Sequence, residues 1–243
     1  MGFATTQAAI DCDFPRLPLP VLTDSLRVLR LEWVDRRGSV VSACPFAEQD
    51  NVLSLNLTQG CVHQCPFCMV RSQAGPSSPP VIRLYANTAL ALERELLQRR
   101  RLPRAVYISP ASDPFPPHAA AQREAVQVAG VLAEHGIDAW FMTRGYIRPT
   151  ILRLLAEHAA HVKVTVALTT LNRSLQRVLE PLTAPPRLRI RQMADLRAAG
   201  ISVQVALEPL LPGLTDTREN LAVLLETLAG AGVTHRMPGA ADE

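Results

Sequence analysis

Residues 52–70 read V-L-S-L-N-L-T-Q-G-C-V-H-Q-C-P-F-C-M-V and contain three of the five cysteines of the chain. The first part, residues 52–58, alternates between apolar and polar side chains, which predicts a β-strand. The loop that follows carries Cys61, Cys65 and Cys68 in the spacing C-x3-C-x2-C. Metal sites built from thiolates usually have four ligands, so this stretch raises the question of what occupies the fourth position.

The composition describes a folded protein with a large core. The chain has 243 residues, of which 48% are hydrophobic and 19% are charged, which excludes global disorder. No apolar run approaches the roughly 18–20 residues that span a bilayer, and residues 1–13 lack the basic and apolar regions of a secretory signal. We therefore predict no membrane association. The formal net charge of +3 does not support a nucleic-acid partner, although an arginine-lined groove could still bind phosphates.

The distribution of cysteines indicates a reduced, cytoplasmic protein. Clustered cysteines in such a protein are typical of a metal or catalytic site. Cys12 and Cys44 stand alone, and we expect them to be idle or buried thiols. Two local basic clusters, in residues 99–101 and 187–191, are expected to be solvated helix ends.

Strands and helices alternate after residue 50. Besides the strand at 52–58, strands are predicted at 105–109, 138–143, 162–168 and 201–207. Helices are predicted at 88–100, 122–135, 150–159, 174–179, 188–199 and 218–229. The strands are nearly continuous apolar runs, so we expect an α/β fold with a parallel sheet covered by helices on its faces. The pattern alone leaves open whether five β/α units form a partial barrel or an open sheet.

The segment before this repeat is predicted to be irregular. Residues 1–25 are rich in proline and show no periodicity, which is typical of an extended arm. Residues 28–41 are expected to form a short hairpin that turns at Arg37 and Gly38.

In α/β folds of either kind, functional residues gather at the carboxyl ends of the parallel strands. The cysteine stretch follows the first predicted strand, so it is expected at this functional edge. The loops after the other strands are S-P-A-S-D-P-F-P-P-H (109–118), T-R-G-Y (143–146), T-T-L-N (169–172) and E-P-L-L-P-G-L-T-D (208–216).

The three clustered thiols suit two kinds of metal site. Structural zinc could use them with His63 as the fourth ligand, and an iron–sulfur cubane could use them for three of its corners. Zinc modules usually bring two ligand pairs that lie a dozen or more residues apart, and a second C-x2-C pair is absent from the sequence. The cubane therefore fits better. With three cysteines its fourth iron stays open for an external ligand, and Phe67 would lie beside the cluster.

The motif C-x3-C-x-F-C, placed at the end of the first of several β/α units, resembles the radical S-adenosylmethionine (SAM) superfamily. The ordered motifs S-D-P-F-P-P, A-L-T-T-L-N, L-E-P-L-T-A-P-P-R-L and P-L-L-P-G-L-T-D resemble its spore-photoproduct-lyase-like branch. This similarity covers residues 50–232.

The resemblance implies a partial (β/α)6-type TIM-like barrel in residues 50–236. An N-terminal arm and possible hairpin in 1–49 would precede the barrel, and a polar tail in 237–243 would follow it. Beyond a strand stub at 233–236, the sequence offers no sixth β/α unit. We therefore expect the barrel to be incomplete after the fifth unit.

The resemblance also implies the chemistry. Cys61, Cys65 and Cys68 would hold a 4Fe–4S cluster, and SAM would bind the open iron. An electron from a small donor of the flavodoxin or ferredoxin type would cleave SAM to a 5′-deoxyadenosyl radical, which abstracts hydrogen from a substrate that the sequence does not identify. No cysteine follows Cys68, whereas photoproduct lyases have one downstream that returns a hydrogen atom. We therefore do not expect thymine-dimer repair. The alternative is a non-catalytic iron–sulfur or structural zinc protein that binds a partner or nucleic acid.

Several residues of the edge loops are implied to contact SAM. Ser112 and Asp113 would receive its amino group, with an Asp-Pro turn as the alternative role. Arg144 stands where this branch often has lysine and suits the methionine carboxylate.

The other implied contacts are equally dependent on the resemblance. Thr169 and Thr170 would meet the ribose or the carboxylate, or instead cap the next helix. Glu208 would border the adenosyl pocket, with a strand-terminal turn as the alternative. His63 is expected to hydrogen-bond a sulfide of the cluster rather than to bind iron. Phe67 would border the adenine ring. No catalytic residue is assigned.

Overall fold

The computed structural model describes residues 30–45, 51–74 and 81–231. The predicted proline-rich arm, Cys12, the strand stub at 233–236 and the polar tail lie outside these described residues.

The described residues form nine strands and seven α-helices. The strands are β1 (Arg30–Val34), β2 (Ser42–Ala43), β3 (Val52–Leu55), β4 (Thr58–Gln59), β5 (Val81–Tyr85), β6 (Ala105–Ile108), β7 (Asp138–Thr143), β8 (Val162–Ala167) and β9 (Ser202–Ala206). The helices are α1 (Met69–Ala74), α2 (Thr88–Gln98), α3 (Ala119–Glu134), α4 (Pro149–Ala156), α5 (Arg173–Leu179), α6 (Pro186–Ala198) and α7 (Arg218–Gly230). None of the helices in this part of the chain combines the length and apolar character needed to cross a bilayer.

The larger sheet has the strand order β2-β3-β6-β7-β8-β9. Its strands β3, β6, β7, β8 and β9 run parallel to one another, while β2 pairs antiparallel with β3. Helices connect successive parallel strands, so each strand and the following helix form one β/α unit. Within the described residues β2 and β9 are the two edges of this sheet, which is therefore open. The predicted α/β class with a parallel sheet is confirmed.

The core lies between this sheet and its helices. Leu92 of α2, Leu132 of α3 and Phe141 of β7 are buried there, and the Phe141 ring lies 5.1 Å from the ring of Phe115. Helix α3 is followed by Gly136, whose φ of +67° is typical of a residue directly after a helix C-terminus.

The hairpin predicted over residues 28–41 is wrong. Strand β1 pairs parallel with β5, with Trp33 opposite Leu84. Strand β4 pairs antiparallel with the other side of β5, so the order of this second sheet is β1-β5-β4. Gly38, with φ of +80°, lies in the loop between β1 and β2 rather than in a hairpin turn. Apolar alternation indicates a strand but does not say which partner it pairs with.

Candidate functional site

The three clustered cysteines lie in one tight loop at the carboxyl edge of the parallel sheet. This cysteine loop (residues 60–68) runs from the end of β4 to the start of α1. Gly60 has a φ of +84° and Gln64 a φ of +57°, so the chain reverses direction sharply inside the loop. All three thiols are free, with Cys65 buried and the other two partly buried.

The surroundings of the thiols oppose their ionisation. Burial raises the pKa of Cys61 to about 12, and the negative charge of Asp113 adds to this effect. Burial also raises the pKa of Cys65 to about 12, although Arg144 acts in the opposite direction. Because metal-bound cysteine is a thiolate, the positive charge of a bound metal would act against this effect.

The three free thiols of the cysteine loop are a donor set that a 4Fe–4S cluster can use. In the parts of the chain that the structure describes, no three His, Cys, Asp or Glu side chains gather as ligands of one metal ion. In a cubane each thiolate binds a different iron, so the three thiols do not need to converge on one point. The cysteine loop therefore suits three corners of a 4Fe–4S cluster, with the fourth iron left for an external ligand.

His63 lies buried within the cysteine loop, and each of its ring nitrogens lies near an oxygen atom. Its Nδ1 is 2.9 Å from the carbonyl oxygen of Leu182, and its Nε2 is 2.9 Å from Oδ2 of Asp113. The expected hydrogen bond from His63 to a sulfide of the cluster stays a prediction, as does its alternative role as a zinc ligand.

Both carboxylate oxygens of Asp113 contact neighbouring loops. Oδ1 accepts from the backbone N–H of Phe115 at 2.8 Å and from Oγ1 of Thr143 at 2.7 Å, and Oδ2 accepts from the backbone N–H of Arg144 at 2.8 Å and lies 2.9 Å from Nε2 of His63. Asp113 thereby joins the loops after β6 and β7 to the cysteine loop. The expected contact of Asp113 with the amino group of SAM stays a prediction.

These contacts also determine the ionisation of Asp113. Burial alone would raise its pKa, but the charge and hydrogen bond of His63, with the backbone N–H groups of Arg144 and Phe115, hold the pKa below its usual range.

Ser112 remains next to the cysteine loop and is not enclosed. Its hydroxyl accepts a hydrogen bond of 2.9 Å from Oγ1 of Thr58 in β4, the strand that precedes that loop. Its half-buried position keeps Ser112 a predicted SAM contact.

Three of the predicted SAM-contact residues surround the side chain of a fourth, Arg144. Its Nη1 donates to Oε1 of Glu180 at 2.6 Å, to Oγ1 of Thr169 at 3.3 Å and to the carbonyl oxygen of Glu208 at 3.1 Å. Its guanidinium carbon lies 5.2 Å from the centroid of the Phe67 ring. The structure therefore brings Phe67, Arg144, Thr169 and Glu208 together beside the cysteines.

A buried ion pair that the sequence analysis missed supports this group. Glu180 and Arg189 are both fully enclosed, and Oε2 of Glu180 accepts from Nη2 of Arg189. Burial alone would raise the pKa of Glu180, but Arg189 and then Arg144 hold it below its usual range. Arg189 also donates to the carbonyl oxygens of Ala167 and Ala184 at 2.7 and 2.8 Å.

The expectation that residues 187–191 form a solvated helix end is therefore wrong for Arg189. Arg187 and Arg191 are exposed, whereas Arg189 is buried. The signal available in the sequence was periodicity, because Arg189 precedes the buried Met193 and Leu196 at helical spacing.

Thr170 points away from this group. Its hydroxyl donates to Oδ1 of Asn220 at 2.6 Å and accepts from the backbone N–H of Asn172 at 3.0 Å. Asn172 in turn caps α5. The helix-capping alternative for Thr170 agrees with these contacts, and the expected ribose or carboxylate contact stays a prediction.

Gly145 is placed where the loops after β6 and β7 touch. A Cβ at this position would lie 2.3 Å from the carbonyl oxygen of Phe115. We predict that Gly145→Ala lowers the free energy of unfolding by about 1–3 kcal/mol, the usual cost of overpacking, in urea titrations. Gly230→Ala is the control, because nothing lies within 4 Å of the added Cβ. Equal stability of the two variants would contradict this packing.

The buried carboxylates predict how stability depends on pH. The pKa values of Asp113 and Glu180 are lowered in the folded protein, so their stabilisation is complete above the unfolded-state pKa of about 4 and is lost as pH falls through the folded-state values. We expect the urea-derived free energy of unfolding to fall below about pH 4. Asp113→Asn should be less stable at neutral pH and lose less on acidification, while the exposed Glu226→Gln should follow the parent. An unchanged pH dependence in Asp113→Asn would refute this role.

Comparisons with known proteins agree with the site. The family model "Radical SAM superfamily" matches residues 55–225. An uncharacterized protein of Mycobacterium tuberculosis is 31% identical over 192 residues, which are 74% of this chain and 56% of that protein. A protein of Pseudomonas phage M6 named radical SAM Nalpha-GlyT isomerase is 28% identical over 202 residues, which are 83% of this chain and 41% of that protein. The chain thus spans about half the length of the curated relatives it matches.

Solved structures share the fold. Spore photoproduct lyase complexed with dinucleoside spore photoproduct has a TM-score of 0.64 at 18% identity, covering 82% of this chain and 58% of that one. Streptococcus suis SuiB bound to S-adenosylmethionine has a TM-score of 0.54 at 15% identity, covering 79% and 40%.

These findings confirm the predicted superfamily, and the fold is shared with spore photoproduct lyase. They also confirm the predicted partial TIM-like barrel, which is open in the described residues. Since the family model covers well over half of the sequence, the chain belongs to the radical SAM superfamily.

Proposed function

We propose that this protein is a radical SAM enzyme whose activity resides in residues 50–236. Cys61, Cys65 and Cys68 hold a 4Fe–4S cluster, and SAM binds the open iron. The observation that carries this proposal is the cysteine loop itself, because it places three free thiols at the carboxyl edge of the sheet, beside the cation of Arg144. When bound and reduced by one electron, the cluster and SAM supply a 5′-deoxyadenosyl radical for hydrogen abstraction.

The residues around the cysteine loop have separate tasks in this proposal. The guanidinium of Arg144 attracts the methionine carboxylate. The ring of Phe67 immediately precedes the third cysteine, where it would limit the access of water to a bound cluster. Asp113 holds the loop against the sheet edge through its contact with His63 and its hydrogen bonds with Phe115 and Arg144.

The reaction requires an external reductant, for which we propose a small electron donor of the flavodoxin or ferredoxin type. Free thiols and a reducible cluster agree with a reducing compartment, and we propose the cytoplasm. At 18% identity the likeness to spore photoproduct lyase shows the fold alone, so the dinucleoside of that structure is not carried over to this chain.

Anaerobic reconstitution tests the proposal. Loading the protein with iron and sulfide should give a brown protein with about four irons per chain, as a cubane requires. Dithionite and SAM should then yield 5′-deoxyadenosine, detected by chromatography and mass spectrometry.

Single cysteine variants provide the matched controls. Cys61→Ser, Cys65→Ser and Cys68→Ser should each abolish 5′-deoxyadenosine formation and reduce the iron content. Cys44→Ser removes a partly buried free thiol outside the loop and should retain both. A colourless protein with one zinc would refute the enzyme, and a complete cluster that yields no 5′-deoxyadenosine would indicate a non-catalytic iron–sulfur protein.

A further inference from the structure

The charges of the Arg144, Arg189 and Glu180 side chains do not balance among themselves. Oε1 of Glu180 accepts from Nη1 of Arg144 at 2.6 Å and from Nη1 of Arg189 at 3.3 Å. The second oxygen of Glu180 is bound by Nη2 of Arg189. One carboxylate is thus shared by two guanidinium groups, which leaves one positive charge in excess. An uncompensated charge in a partly buried position is costly.

The side chain of Glu208 supplies the missing negative charge, but its contact is loose. Its Oε1 lies 3.6 Å from Nη2 of Arg144, which is beyond hydrogen-bond distance. The Glu208 side chain is 42% exposed, whereas those of Arg144 and Glu180 are 15% and 0% exposed. Glu208 can therefore turn into solvent without breaking a buried hydrogen bond of its carboxylate.

The two terminal nitrogens of the Arg144 guanidinium differ in how firmly their partners are held. Nη1 is fixed by the enclosed acceptors Glu180 and Thr169 and by the carbonyl oxygen of Glu208. Nη2 faces the loosely held carboxylate of Glu208. If the carboxylate of a ligand replaced that of Glu208 beside Nη2, the net charge around Arg144 and the contacts of Nη1 would both stay the same.

We propose that Glu208 is an exchangeable counter-ion, which neutralises Arg144 in the free protein and is displaced by the carboxylate of SAM. This inference rests on the proposed function, because it takes the cluster-bound SAM as the incoming ligand. Glu208 then lowers the affinity for SAM, since the ligand must compete with it, and it selects for ligands that bring their own carboxylate. This role differs from bordering the adenosyl group, where loss of Glu208 would weaken binding.

The test compares SAM with decarboxylated SAM, which lacks only the competing group. Dissociation constants are measured by anaerobic equilibrium dialysis on the cluster-loaded protein, for the parent and for Glu208→Gln. We expect Glu208→Gln to bind SAM about two- to five-fold more tightly, as for loss of a solvent-exposed ion pair. The gain should shrink at high salt, and binding of decarboxylated SAM should not change.

Glu226→Gln is the matched control, because it makes the same charge change at an exposed position of α7, and it should alter neither constant. Weaker or unchanged SAM binding by Glu208→Gln, or an equal change for both ligands, would overturn the role of Glu208 and leave the proposed function intact. A cluster-loaded parent protein that binds neither ligand would instead contradict the proposed function, and the inference with it.

Discussion

The buried carboxylate of Asp113 is the constraint on which the arrangement of the site depends. It accepts hydrogen bonds from Phe115, Thr143 and the backbone of Arg144, and it pairs with His63 inside the cysteine loop. Burying a carboxylate is unfavourable unless its oxygens are fully hydrogen-bonded. The cysteine loop therefore cannot move away from the ends of β6 and β7 without exposing or orphaning this charge. For this reason the cysteines keep a fixed position relative to Arg144.

A second buried carboxylate, Glu180, anchors Arg144 from the opposite side. Asp113 binds the backbone N–H of Arg144, while Glu180 binds its guanidinium and the enclosed Arg189. The backbone and the guanidinium of Arg144 are thus both held in place. The remaining positive charge faces the half-exposed Glu208 at the edge of the sheet. An anionic ligand next to the cysteine loop would meet a cation that is already oriented, which reduces the entropic cost of binding.

The sequence was sufficient to predict the parallel sheet, because apolar strands that alternate with helical segments are typical of β/α units. It also placed the cysteine loop and Arg144 at the correct edge. The pairing of β1 with β5 was not predictable in this way, since strand patterns do not identify partners distant in sequence. Arg189 was misjudged for a related reason: an arginine is assigned to the surface unless its partner is known, and Glu180 becomes its partner only in the folded chain. For Thr170 the sequence suited a SAM contact and a helix-capping role equally, because its hydrogen bond to Asn220 forms only in the folded chain.

The central claim is that three cysteines leave one iron of the cluster open for SAM. Mössbauer spectroscopy of the protein reconstituted with Mössbauer-active iron, recorded before and after addition of SAM, tests this claim most directly. The account predicts that one of about four iron sites changes its isomer shift when SAM is added, while the other three keep theirs. Spectra in which every iron is unaffected by SAM would contradict it, because the fourth iron would then already have a permanent ligand.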